Sequence, residues 1–209
     1  NYSIRTHLSS IRTSPAREFR LVWDRTGSGP AARGGRILGI VKAAILRSPG
    51  TPLLIEDVPI PVPGPGQLLL RVRACGVCRT DLHIVEGELQ PRRSPLIPGH
   101  QIVGEVITSG TPEFPPGTRA GVSWVGGVDG SCTYCRRNLE NLCDSPDFTG
   151  YTVDGGYAEY ALVRAGFALR LPAALDDLRA APLLCAGIIG FRSLRVAGVQ
   201  QGENVGLYG

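Results

Sequence analysis

The chain has 209 residues, 43% hydrophobic and 19% charged, the balance of a globular protein of one domain, or of one domain and part of a second. Its 28 Gly and 17 Pro show neither collagen periodicity nor the bias of a disordered tract. The longest uninterrupted apolar stretch, about ten residues around Leu183–Phe191, is too short to span a bilayer. Residues 1–40 hold seven Arg against Glu18 and Asp24, whereas residues 41–209 hold 15 basic and 16 acidic residues. The net charge of +4 thus comes from the first forty residues, and the neutral remainder argues against a nucleic-acid-binding face.

Residues 1–40 lack helical or strand periodicity and carry loop signals such as Gly27-Ser28-Gly29-Pro30 and Gly34-Gly35. Their Arg-rich, acid-poor composition fits a mitochondrial transit peptide. The alternative is upstream sequence translated in frame, with Val41-Lys42-Ala43-Ala44-Ile45-Leu46 resembling an ordinary N-terminus. The absence of Met, together with Pro15 and Pro30, favours the second reading, so 1–40 is predicted to be a non-domain leader.

From residue 41 the pattern is mostly β. Gln67–Ala74 alternates, with Leu68, Leu70 and Val72 on one face and Arg71 and Arg73 on the other. Gln101–Thr108 and Tyr157–Arg164 are further β-rich runs between Gly/Pro turns. One long helix is expected from about Asp177 to Val196. Its Leu184, Ile188, Phe191 and Leu194 fall on one face, and Gly198 is placed to cap its C-terminus. Asn204–Gly209 reads as a short buried strand at which the chain stops, as a truncated product would. A β-rich domain followed by helix and strand suggests that an α/β domain is beginning.

The six Cys are at 75, 78, 132, 135, 143 and 185, with no secretory segment before the fold to favour disulfides. Cys132-x2-Cys135-x7-Cys143 lies in a short polar loop, where close thiolates can wrap a tetrahedral Zn²⁺. Asp129, three residues before Cys132, is a candidate fourth ligand, although an Asp in a Gly-rich turn also serves as a plain turn residue. Cys78, His100 and Cys185 would form a Cys₂His set with an open fourth position. Taken alone, His100 also reads as a turn histidine and Cys185 as a small core hydrophobe. Cys75-x2-Cys78 could be a redox pair, but no thioredoxin-type βαβ pattern surrounds it.

Several segments in order resemble the zinc-dependent medium-chain alcohol dehydrogenase family. They are Cys75-Gly-Val-Cys-Arg-Thr-Asp-Leu-His83, Pro98-Gly-His-Gln101, Trp124 followed by Asp129-x2-Cys-x2-Cys-x7-Cys143, Gly155-Gly-Tyr-Ala-Glu159, and Leu184-Cys-Ala-Gly187. The resemblance covers essentially all of residues 41–209. It implies a mainly β GroES-like catalytic domain over 41–176, followed over 177–209 by the first helix and strand of a truncated α/β Rossmann coenzyme domain. It also implies hydride transfer between a primary or secondary alcohol and NAD or NADP, with zinc as Lewis acid. Two zinc ions per chain are then expected: a catalytic one on Cys78, His100 and Cys185, and a structural one on Asp129, Cys132, Cys135 and Cys143.

In the same way Asp81 resembles the carboxylate that orients the zinc-binding His. Thr80 and His83 resemble a proton relay that runs through the nicotinamide ribose. Arg79 resembles a coenzyme pyrophosphate contact. Trp124 resembles a wall of the alcohol pocket, and Gly209 the first Gly of the G-x-G-x-x-G turn. Without the resemblance, Thr80 and Asp81 read as helix N-caps, Arg79 and His83 as surface residues, and Trp124 as core. Two positions depart from the family: Gln101 stands where Glu is usual, and Asp129 where the zinc loop carries a fourth Cys. Expected partners are a small-molecule alcohol or aldehyde and, at full length, further copies in a dimer or tetramer; no nucleic acid or membrane is expected. The expected location is cytoplasmic. The alternatives are a non-catalytic zinc-stabilised β domain from a truncated gene, or a related polyol, aromatic alcohol or aldehyde reductase.

Overall fold

The computed structural model describes residues 39–90 and 92–206; the expectations for residues 1–38 of the leader and for Gly209 lie outside these, while Ile40, placed at the leader's end, opens the first strand. Strand β1 (Ile40–Ile45) pairs antiparallel with β2 (Leu54–Pro59). Strand β3 (Gln67–Gly76) leads into helix α1 (Arg79–Glu86), and a loop returns the chain to β4 (Gln101–Ser109) and β5 (Arg119–Val122). Two short strands, β6 (Val125–Gly127) and β7 (Asp147–Phe148), enclose the Cys-rich loop, and β8 (Tyr160–Arg164) and β9 (Ala168–Arg170) follow. The main sheet has the order β8-β3-β4-β5-β9 and is antiparallel throughout.

The alternation read from the sequence sets the faces. Leu68 and Leu70 of β3, Ile102 and Val106 of β4, Ala120 and Val122 of β5 and Val163 of β8 fill one core, with Phe114 packed among them. Val103 points to the opposite face, where Ala180, Ala181 and Leu184 cover it. Leu69 is also fully buried, so β3 is apolar on both faces near its start rather than one-sided.

The expected helix is continuous in position but not in type. Helix α2 (Asp177–Pro182) passes into a π-helical segment (Leu183–Gly187) and then into α3 (Ile188–Ala197). Pro182 has no N–H to donate, which removes one α-type bond just where the ladder widens. Gly198 caps the run in a left-handed conformation, as expected. The periodic apolar face is not buried as expected: Leu184 is, but Ile188, Phe191 and Leu194 are exposed, and no residue of α3 is buried. The whole helical run, Asp177–Ala197, has 21 residues. By length and composition it is apolar enough to cross a membrane, unlike the shorter uninterrupted stretch. Its first half instead packs on β4. Asn204–Gly206 are exposed and belong to no strand, since among the described residues no neighbour offers them a ladder.

Candidate active site and metal centres

Antiparallel register brings the first two candidate ligands together. Gly76 at the end of β3 pairs with Gln101 at the start of β4, so Cys78, two residues past β3, lies beside His100, one residue before β4. The third comes from the other side of the sheet: Leu184 buries against Val103, and its neighbour Cys185 turns towards Cys78. Gly121 makes room for this helix, because a Cβ there would lie 2.9 Å from a Leu184 methyl.

The sulfurs of Cys78 and Cys185 are 3.8 Å apart, and with a ring nitrogen of His100 they form a set of donor atoms all within 4.8 Å of one another. Two sulfurs each about 2.3 Å from a tetrahedral zinc would also be about 3.8 Å apart. His100 is 1% exposed, and its Nε2 is buried with no hydrogen-bond partner among the described residues. Its Nδ1 donates to Asp81 Oδ1 at 3.2 Å, the carboxylate being able only to accept, which leaves Nε2 with a free lone pair. A buried, unpaired acceptor beside two thiols is costly unless a cation occupies the space between them. The thiols fit the same reading. Burial acts to raise Cys78, but the Thr80 backbone N–H and hydroxyl, the Cys185 thiol and the adjacent His100 ring hold it below its ordinary range. Burial and the neighbouring Cys78 push Cys185 up to about 11, so a second thiolate needs positive charge nearby.

Asp81 is 2% exposed and organises the site. It accepts from the backbone N–H of Cys78 at 2.8 Å and of Gly99 at 3.2 Å as well as from His100. The N-cap of α1 is Cys78, so Thr80 and Asp81 sit in the first turn rather than at the cap position. Thr80 Oγ1 lies 3.7 Å from Cys78 Sγ. His83, one turn further on, is partly exposed and its Nδ1 pairs with Glu88. Arg79 is exposed at the start of the same helix. Trp124 meets the His100 ring edge-on at 5.1 Å and stacks on Phe148 at 4.8 Å and Tyr151 at 5.8 Å. Cys75 is not in the cluster. It is half-buried near the end of β3, packed against the core, and desolvation pushes its thiol up to about 12, which makes it a poor nucleophile.

Behind His100, Gly155 and Gly156 form a strap: Gly155 N–H donates to Ile97 and Gly156 N–H to Gly99, at 2.7 and 2.8 Å. A Cβ on Gly155 would lie 2.1 Å from the Gly99 carbonyl oxygen. The second cluster holds Asp129, Cys132, Cys135 and Cys143, with donor atoms all within 4.8 Å of one another. Asp129 Oδ1 accepts from the Ser131 and Cys132 N–H groups at 2.7 and 2.8 Å, while Oδ2 faces Cys143 Sγ at 3.2 Å. These bonds, the Asx-turn pattern of a turn aspartate, hold its carboxyl far below the usual range, led by the Cys132 N–H, and leave Oδ2 beside Cys143. Sequence reasoning missed Phe148 and Tyr151, whose spacing of three with Gly150 between was a legible sign of an aromatic turn. It also missed the charged contacts around Asp177.

Residues 64–173 match the alcohol dehydrogenase GroES-like domain family. That match spans more than half of the chain. The chain belongs to the zinc-dependent medium-chain alcohol dehydrogenases. A probable alcohol dehydrogenase, AdhA, of Mycobacterium tuberculosis is 48% identical over 175 residues, covering 78% of this chain and 51% of the relative. Among solved structures, a putative zinc-binding dehydrogenase from Sinorhizobium meliloti, bound to NADP, superposes with a TM-score of 0.64 at 36% identity, covering 69% of this chain and 42% of that one. A cinnamyl alcohol dehydrogenase of Sorghum bicolor superposes with a TM-score of 0.72 at 28% identity, covering 79% and 50%. The chain thus spans about half the length of the curated relatives it matches. Members of this family with this GroES-like domain are oxidoreductases, and the paired β3–β4 ends carrying Cys78 and His100 lie inside the matched region.

Proposed function

We propose that this chain is the metal-holding half of an enzyme that oxidises a small alcohol, or reduces the matching aldehyde or ketone, with NAD or NADP. The observation that carries the reading is the buried, unpaired Nε2 of His100 facing two thiols 3.8 Å apart. Cys78, His100 and Cys185 would hold a catalytic zinc, and Asp129, Cys132, Cys135 and Cys143 a structural one, two per chain. When bound, the catalytic zinc supplies Lewis acidity at the alcohol oxygen, and the nicotinamide coenzyme supplies the hydride acceptor.

The chain's own residues do the rest. Asp81 fixes the His100 ring and its tautomer. Thr80, with its hydroxyl beside Cys78, accepts the proton leaving the substrate oxygen. His83 lies on the same face of α1 three residues later and is partly exposed, so it would be the last member of the relay, taking the proton that Thr80 passes on through the bound coenzyme's ribose and releasing it to solvent. Trp124, braced by Phe148 and Tyr151, walls the substrate side and keeps water out. Arg79, exposed at the start of α1, would meet the coenzyme pyrophosphate, and the family resemblance gives Gly209 the place of the first Gly in the Gly-rich turn. Six cysteines with no disulfide among the described residues, five of them assigned to metal, suit a cytoplasmic enzyme, and assembly with further copies as a dimer or tetramer follows the family resemblance.

Metal analysis of the purified chain tests this reading. Two zinc ions per chain are expected, falling to one in His100→Ala and to one in Cys135→Ser. A His100→Ala chain that still holds two zinc ions overturns the assignment.

A further inference from the structure

We propose that Asp177 is a positioning residue for the Cys78–His100–Cys185 site: it clamps the helical run that carries Cys185 to two strands of the sheet. The proposal rests on the reading that these three residues hold one zinc.

Cys185 is the ligand the sheet does not place. Cys78 and His100 are set by the β3–β4 ladder, but Cys185 lies 107 residues beyond Cys78 and arrives on a helix. That helix touches the sheet through few groups. Ala180 and Ala181 present small, smooth side chains to Val103, and Leu184 is the one large buried anchor. From Ile188 onwards nothing in the run is buried. Small apolar contacts resist separation but resist sliding poorly, since dispersion has no direction.

Asp177 supplies the missing direction. Its Oδ2 accepts from Arg73 Nε on β3 at 2.7 Å, and its Oδ1 from Arg119 Nε on β5 at 2.6 Å. The two arginines flank β4, whose Glu105 pairs with Arg71 at 2.9 Å and with Arg73 at 3.4 Å. Arg119 also donates from Nη1 to the Pro172 carbonyl at 2.8 Å, which ties the segment leading into α2 to the same strand. Both carboxylate oxygens are therefore held, each from a different strand, so the first turn of α2 can neither slide nor rotate freely. Asp177 and Cys185 are eight residues apart, roughly 12 Å along a helix. Across that distance α2 and the π segment that follows it pass a displacement at the first turn on to the sulfur. A zinc site tolerates displacements of only about 0.2 Å.

The test uses the 209-residue chain loaded with zinc and challenged with a chromophoric chelator. A Cys185→Ser chain shows which release phase belongs to this site, and the Asp129–Cys143 site serves as the internal reference. Asp177→Ala should weaken zinc at the Cys185-dependent site roughly tenfold while leaving the reference site unchanged. Arg73→Gln, which removes the bond to Asp177 and the longer one to Glu105 from an exposed side chain, should weaken it about threefold. Asp177→Glu should restore part of the loss. In the cobalt-loaded chain, the thiolate charge-transfer band of this site should shift in Asp177→Ala, a change that general loosening does not produce. Equal loss at both sites, or no loss at either, overturns the clamp. A wild-type chain with no Cys185-dependent zinc refutes the underlying site reading, and the clamp with it.

Discussion

Replacing Asp81 by Ala tests the organisation of the site without any need for turnover. The side chain is almost fully buried and accepts three hydrogen bonds, from Cys78 N–H at 2.8 Å, Gly99 N–H at 3.2 Å and His100 Nδ1 at 3.2 Å. Truncation leaves three donors facing a small cavity, each left unpaired at about 1–3 kcal/mol. Removing the carboxylate also removes the penalty of burying it, which offsets part of that loss. A net destabilisation of about 3–5 kcal/mol is expected, at the upper end for single substitutions. Urea unfolding of the metal-free chain measures it directly: the midpoint should fall with the slope unchanged. At about 2–4 °C per kcal/mol, the melting temperature should drop by roughly 10 °C. Zinc affinity at the His100 site should fall about 10–100-fold, because the imidazole loses its orientation and tautomer. A loss below about 1 kcal/mol would show that solvent reaches these donors and would refute the argument from burial.

Thr80→Val, in the enzyme completed with its coenzyme-binding half, should lower alcohol oxidation at least about a hundredfold with zinc content intact; an unchanged rate in steady-state assays removes the relay. Gly155→Ala drives a Cβ to within 2.1 Å of the Gly99 carbonyl oxygen. It should cost about 3 kcal/mol in urea unfolding, and a neutral result would mean that the strap shifts without strain. The Asp177 carboxyl is raised by burial, but the Arg73 and Arg119 hydrogen bonds outweigh this and hold it below its ordinary value. Its stabilisation is therefore complete above the usual carboxylate range near about pH 4 and is lost as the pH falls through the lower folded value. Wild type should exceed Asp177→Asn in melting temperature at neutral pH and converge with it in acid; a constant gap contradicts the ion pairs.

Some of this was legible because its cause is local. Alternation marked β3, since successive side chains on a strand must face opposite ways, and a β-rich run between turns marked β4. Residues 129–143 could be read as one metal loop because the spacing alone keeps those side chains within reach of each other. Periodicity failed at the helix for an equally local reason that it does not encode. A repeat of 3.6 assumes uniform α bonding, and the π segment at Leu183–Gly187 breaks that register beside Pro182. It also assigned Ile188, Phe191 and Leu194 to a buried face that the described residues do not cover.

The sequence by itself determined the donor types, the grouping of Asp129, Cys132, Cys135 and Cys143 in one loop and the strands that frame the site, because these depend on chain geometry over a few residues. The choice of Cys78 over Cys75, which the family resemblance implies, has its physical reason only in the tertiary structure. The Gly76–Gln101 register turns Cys78 towards the imidazole and leaves Cys75 packed against the core. The tertiary structure alone likewise brought Cys185 to 3.8 Å from Cys78, through Leu184 packed on Val103 and Asp177 held between two strands. Contacts between residues 107 apart are set by ladder register and helix packing, and no pattern within a local window of sequence contains either.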